Sequence, residues 1–195
     1  MNTSTKAGHP ARPGRGGRGA RGFTLVELMV TLLVLAVLLG LAVPSFRDAS
    51  LSSRLTGYAN DLVAGVQIAR SEAIKRNATV TLCASTNGST CATAGGWEVG
   101  WIILAPRPSA IGTLDVVDRH APLTEEFIIT QAAGVTELRF PPTVVGVTSV
   151  PITPMPITFT VCRETPVGKQ EREVTVTVTG ATAVQITENE ECPPS

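Results

Sequence analysis

Apolar residues run from Phe23 to Val43 with few interruptions, a stretch of 21 positions in which Glu27 is the one ionisable side chain. A helix of about 20 residues crosses the hydrocarbon core of a bilayer, so this stretch has membrane length. After Pro44 the pattern changes. Leu51, Leu55, Tyr58, Leu62, Val66, Ala69 and Ala73 recur at spacings of three and four, while Arg47, Asp48, Arg54, Asp61, Arg70 and Lys75 lie largely off that stripe. This is one face of an amphipathic helix. Glu72 and Arg76 stand four apart and can pair on its surface. Asn77 is its predicted end, because Thr79-Val80-Thr81-Leu82 switches to strand chemistry. At 1.5 Å per residue a helix from Phe23 to Arg76 is roughly 80 Å long.

Beyond Asn77 the chain reads as β. The predicted strands are Thr79–Ala84, Trp97–Leu104, Leu114–Arg119, Phe127–Gln131, Thr136–Phe140, Ile157–Arg163, Val174–Thr179 and Ala183–Thr187. Val174 to Thr179 alternates Val and Thr strictly, which predicts a buried Val face and a Thr face that is solvated or paired across strands. Gly180-Ala181-Thr182 then turns into the last strand, so these two make a hairpin. Pro141 to Pro156 carries five prolines and little charge. It reads as an irregular loop with room for one edge strand. Trp97 and Trp101 flank Gly100; on one strand they share a face and read as packing residues rather than a stacking platform for a ligand.

Charge adds a direction. Met1 to Gly22 holds Lys6, Arg12, Arg15, Arg18 and Arg21, no acid, and much Gly and Pro. Taken alone it is a basic tail unable to fold by itself. Placed directly before an apolar span it is the positive-inside flank that keeps the N-terminus cytoplasmic. A secretory signal peptide cleaved near Gly40-Leu41-Ala42 is the rival reading. The whole chain has 16 basic and 16 acidic residues; without the five basic residues of Met1–Gly22 the balance is 11 against 16, near −5. That argues against a surface built to coat nucleic acid. The chain therefore divides into a basic leader (1–22), a transmembrane helix (23–43), an amphipathic continuation (44–76) and a β-rich head (77–195).

The string Gly22-Phe23-Thr24-Leu25-Val26-Glu27, after a basic leader and before an apolar helix, resembles the processing signal of type IV pilins and type II secretion pseudopilins. The resemblance implies that a prepilin peptidase cuts between Gly22 and Phe23 and methylates the new amino group of Phe23. It implies that Glu27 pairs with the N-terminus of a neighbouring subunit, because a lone carboxylate at membrane depth is costly unless partnered. Pro44 lies where these proteins carry a helix-kinking proline.

A narrower resemblance follows from Arg54-Leu55, Ala59-Asn60-Asp61-Leu62, Gln67-Ile68-Ala69-Arg70-Ser71-Glu72-Ala73-Ile74-Lys75-Arg76-Asn77, Val80-Thr81-Leu82-Cys83 and Gly96-Trp97 with Gly100-Trp101-Ile102. These blocks are similar to the GspH/FimT family of minor pseudopilins and minor pilins. The fold implied is α+β, with a long N-terminal helix packed on a β-rich globular head. The function implied is that of a structural subunit helping to initiate or cap a filament for type II secretion or type IV pilus biogenesis. Its partners would be prepilin peptidase, other minor pilins or pseudopilins, the assembly platform and the inner membrane, with the head in the periplasm. The alternative is a membrane-anchored DNA-binding pilin for DNA uptake. Some FimT-type pilins carry Gly-Arg-x-Arg in the last hairpin; here the turn is Gly180-Ala181-Thr182-Ala183, followed by acidic Glu188, Glu190 and Glu191, which argues against DNA capture.

Four cysteines on the periplasmic side allow disulfides in any of three pairings. Cys83 and Cys91 flank the turn-forming Asn87-Gly88-Ser89, and Cys192 follows the last strand, so Cys83–Cys91 with Cys162–Cys192 is the preferred pair set. A zinc site is the other use of cysteine, but no CxxC is present and the histidines are only His9 and His120. His120, after Asp118 and Arg119, reads as a solvated strand-end residue. No motif for nucleophilic, phosphate-binding or metal-dependent catalysis occurs, so the expected class is a structural protein with no cofactor and no enzyme activity.

Overall fold

The computed structural model describes residues 22–195 apart from 109, 111, 125, 132, 144–145, 164–170, 188–191 and 193–195; within the helix the side chains at 41–45, 47 and 48 are also left undescribed. The basic residues of the leader and Glu188, Glu190 and Glu191 thus fall outside it. Two compact units are present, one up to Val43 and one from Pro44.

Helix α1 spans Leu25–Arg76. Thr24 caps it: its Oγ1 accepts the Glu27 N–H at 3.2 Å, the N-cap to N3 bond of a Thr-x-x-Glu start. At the far end the Asn77 N–H donates to Ile74 O at 3.3 Å and the Ala78 N–H to Ala73 O at 3.2 Å. With Asn77 at φ 47° these are the two bonds of a Schellman stop, and Asn tolerates the left-handed backbone they require.

In the unit from Pro44, the stripe Leu55, Ala59, Leu62, Val66, Ala69 and Ala73 is buried, with Leu51 and Tyr58 packed against its margin. The strands are β1 (Val80–Ala84), β2 (Trp101–Pro106), β3 (Leu114–His120), β4 (Phe127–Thr130), β5 (Glu137–Phe140), β6 (Thr148–Val150), β7 (Ile157–Arg163), β8 (Glu171–Val176) and β9 (Thr182–Thr187). They form two antiparallel sheets, ordered β3-β2-β1-β5-β6 and β4-β7-β8-β9. One apolar cluster joins the helix stripe to Leu82, Trp101, Leu138 and Phe140 of the first sheet and Phe159, Val174 and Val176 of the second. Helix and sheet approach closely at Gly65, where a Cβ would stand 3.1 Å from Trp101 Nε1.

Several boundaries differ from those read off the sequence. Trp97–Val99 is a short 3₁₀ turn, not the start of β2, because Gly100 (φ 95°) breaks the run before Trp101. Trp97 is still buried, its Nε1 donating to Val135 O at 2.7 Å and its ring edge-on to Phe159. Strand β8 begins at Glu171, three residues earlier than the Val/Thr alternation suggests, and ends at Val176. At Thr177 the ladder gives way to the turn: its N–H still donates to Ala181 O, but the Ala181 N–H is taken by the Thr177 hydroxyl instead of the Thr177 carbonyl, which accepts from the Gly180 N–H. Val174 and Val176 are buried, while Thr158 and Thr175 hydroxyls meet across strands at 3.3 Å. The proline-rich loop does contain an edge strand, β6, paired with β5.

Candidate functional site

The N-terminal segment is built by its own helix start. Gly22 and Phe23 are extended residues before the Thr24 cap, and Phe23 is 78% exposed. Glu27 sits in the first turn, where the partial positive charge of the helix N-terminus favours a carboxylate. None of the ion pairs among the described residues involves it. Around it stand Leu25, Val26, Leu28, Met29, Val30, Leu32 and Leu33, all more than half exposed. A contiguous apolar surface of this kind is unstable in water and marks a protein or lipid contact. Among the described residues no helix is long and apolar enough to cross a membrane; the described side chains of the apolar run end at Gly40 and resume at Phe46. α1 continues as helix through position 44, and the Pro44 side chain lies outside the described residues.

In the head, Cys83 is bonded to Cys91 and Cys162 to Cys192. The first bridge closes the loop in which Asn87 Oδ1 accepts the Ser89 and Thr90 N–H groups. The second joins β7 to the residue beyond β9. Glu171 lies beside the second bridge, its ligand-type atom within 4.8 Å of both sulfurs. With both sulfurs in one disulfide there is no thiolate to hold a metal ion.

His120 ends β3, as the sequence suggested, but is half-buried rather than freely solvated. Its ring stacks on Trp101 at 3.8 Å and 4°, and its Nε2 lies 3.2 Å from Asp61 Oδ2 on α1. Nothing in the sequence signals that contact, because residues 61 and 120 meet only once β3 lies beside β2. It is a structural clip between helix and sheet, with no nucleophile or second base beside it among the described residues. Glu72 is a second such fastening: Lys75 Nζ and Arg76 Nε donate to it at 2.7 and 2.8 Å, and Arg76 also donates to Pro106 O at 3.1 Å. Those hydrogen bonds, Lys75 first and then Arg76, hold the Glu72 carboxyl below its usual value. Nothing in the sequence signals the buried position of Arg172. It is buried, donates to Thr56 Oγ1, Ser52 Oγ and Glu171 O, and burial pushes its guanidinium below the usual arginine value.

A cleft of about 340 Å³ opens between Gly95, Gly96 and Trp97 on one side and Gln131, Val135 and Thr136 on the other. No titratable group lines it, and Gln131 Oε1 is already engaged by the Ala133 and Val135 N–H groups. It offers shape but no acid, base or nucleophile.

The family model described as Type II transport protein GspH matches residues 58–182, most of the chain. The chain belongs to the GspH family. A second family model, the prokaryotic N-terminal methylation motif, covers residues 17–43 of this GspH-family chain. Together they make it a minor pilin or pseudopilin of the GspH/FimT type, in a family of structural subunits. Two crystal forms of the type IV minor pilin FimU from Pseudomonas aeruginosa are similar to it. One is 22% identical, covering 67% of this chain and 91% of that one with a TM-score of 0.48. The other is 21% identical, covering 68% and 89% with a TM-score of 0.50, a likeness of fold alone. No curated protein sequence matches this chain.

Proposed function

We propose that this GspH-family chain is cut between Gly22 and Phe23 by a prepilin peptidase, methylated at Phe23, and assembled through its apolar helix with other minor pilins or pseudopilins to initiate or cap a periplasmic filament. The leader 1–22 is removed; 23–43 anchors the subunit in the inner membrane with its N-terminus cytoplasmic; 44–76 carries the helix into the head; 77–195 is periplasmic, held by the two disulfides. The observation that carries this reading is the exposed apolar face of α1 beside a single carboxylate, within the region that matches the methylation motif. In the membrane Glu27 stays costly until a neighbour supplies a cation, so its charge favours the assembled state over the lone subunit. Pro44 sets a bend in the helix by removing one backbone hydrogen bond. The assembly platform of a type II secretion or type IV pilus system is the partner this implies.

N-terminal mass spectrometry of the membrane-extracted protein tests the reading. A mature chain beginning with N-methylated Phe23 is expected. A start near Val43 overturns it and makes 1–42 a secretory signal.

A further inference from the structure

Asn87 is the one asparagine of this chain followed by glycine; Asn2, Asn60, Asn77 and Asn189 precede Thr, Asp, Ala and Glu. An Asn-Gly pair can modify itself. The glycine nitrogen, once it has lost its proton, attacks the asparagine Cγ. The new N–Cγ bond closes a succinimide ring as Cγ–Nδ2 breaks and ammonia leaves. Water then opens the ring at either carbonyl, giving Asp or isoaspartate. Glycine favours this closure because no Cβ crowds its nitrogen. Asn87 is exposed, so water reaches it, and Gly88 stands at φ 67°.

In the closed loop every group that must move is held. The Gly88 N–H, whose proton has to leave first, donates to Ser85 Oγ at 3.0 Å, and Ser85 is 4% exposed. A base from solvent meets that proton only after the loop opens. The Asn87 carboxamide is fixed at both ends: Oδ1 accepts the Ser89 and Thr90 N–H groups at 2.8 and 2.9 Å, and Nδ2 donates to Thr90 Oγ1 at 2.9 Å. Two backbone donors on Oδ1 would also stabilise an oxyanion there. They cannot act while the nucleophile keeps its proton, so the Ser85 bond decides and the closed loop is unreactive.

Little besides one covalent tie keeps the loop closed. Ser85 Oγ donates to Thr90 O and the Ala92 N–H to Ala84 O, both at 2.7 Å, and Arg119 Nε donates to Gly88 O at 2.6 Å. Thr86, Asn87, Ser89 and Thr90 are polar and exposed, so burial of apolar surface adds little. Segments held mainly by exposed hydrogen bonds open most readily. The Cys83–Cys91 bridge, spanning a sequence separation of 8, restricts that opening.

We propose that Asn87 is a self-modification site gated by the Cys83–Cys91 bridge: with the bridge closed the amide is kept, and with the bridge reduced by a dithiol it is converted to Asp or isoaspartate. Reduction takes two electrons and two protons from the dithiol, which leaves as its own disulfide. The later step consumes water and releases ammonia. Isoaspartate routes the main chain through the former side chain, so the Ser89 and Thr90 N–H groups lose their acceptor and the loop does not reclose as before. The proposal is independent of the filament reading.

The test follows residue 87 in the full-length chain in detergent, at constant pH and temperature, by peptide mass spectrometry that separates Asn, Asp and isoaspartate. The parent, with both bridges, should keep Asn87 far longer than a synthetic peptide of residues 85–90. Ser85→Ala, with both bridges, and Cys83→Ala with Cys91→Ala, which keeps Cys162–Cys192, should each convert roughly tenfold or more faster than the parent, as loss of one holding interaction raises the open fraction. A parent that converts as fast as the peptide overturns the proposal. So does a folded chain without the Cys83–Cys91 bridge that converts as slowly as the parent. If that chain does not fold, Ser85→Ala decides, and a Ser85→Ala chain as slow as the parent overturns the proposal.

Discussion

Replacing Gly100 by Ala should cost the head several kcal/mol, whereas Gly57→Ala should stabilise it. Gly100 has φ 95° and ψ 171°, a region open in practice only to glycine. A side chain there costs about 1–3 kcal/mol in backbone strain alone. Its Cβ would also stand 2.6 Å from His120 O and 3.1 Å from the Ala121 and Pro122 backbone. Backbone cannot swing aside as a flexible side-chain tip can, so the end of β3 must shift, adding about 1–3 kcal/mol as in an overpacked core. The shift would also strain the Trp101–His120 stack and the His120–Asp61 contact. The sum is about 2–6 kcal/mol. In a domain of this size each kcal/mol moves the melting temperature by roughly 2–4 °C, giving a fall of roughly 4–24 °C. Gly57 is on the exposed side of α1 with nothing within 4 Å of a built Cβ, so Ala there should gain about 0.5–1 kcal/mol. Thermal unfolding of a fragment beginning at Ser50, produced in an oxidising compartment, measures both. A Gly100→Ala head melting within 2 °C of the parent would refute the steric argument.

Three further outcomes are expected. Glu72 has a folded value below its ordinary 4.5, so its contribution is present at neutral pH and is lost as pH falls through the folded value; stability of the fragment should fall more steeply on acidification below pH 4.5 in the parent than in Glu72→Gln, and parallel curves would assign the acid sensitivity elsewhere. Glu27→Leu should insert and lose its leader normally but co-assemble poorly, and full incorporation into filament complexes would make Glu27 an interfacial residue only. The Ser50 fragment should bind duplex DNA with a Kd above roughly 10⁻⁶ M at physiological salt; tighter, salt-sensitive binding would favour the DNA-uptake alternative.

What could be read from sequence was local. The period of Leu55 to Ala73 gave the helix face, because those residues repeat at the pitch of the helix itself. Ile157–Arg163 was legible end to end, since its apolar run is bounded by Pro156 at one side and Glu164 at the other. Glu171, Arg172 and Glu173 hid the start of β8, because three consecutive charges interrupt the Val/Thr alternation, and the contact that buries Arg172, with Ser52 and Thr56, comes from residues distant in sequence. The division into two sheets and the Asp61–His120 clip depend on strand neighbours distant in sequence. At the N-terminus the situation is reversed. The processing motif is plain in the sequence, while the fold contributes the Thr24 cap and the exposure of the apolar face.

α1 runs from Leu25 to Arg76, and its stripe from Leu55 to Ala73 is itself a layer of the head's core. A pull applied at the Pro44 end of the helix would be carried along the axis of this stripe. It is resisted in shear by every contact of that stripe together, with the Glu72–Arg76–Pro106 fastening as a stop at the far end. A head hung from a separate linker would instead peel away one contact at a time. In the filament proposed above, this wiring would make the hydrophobic core of the head the tensile joint.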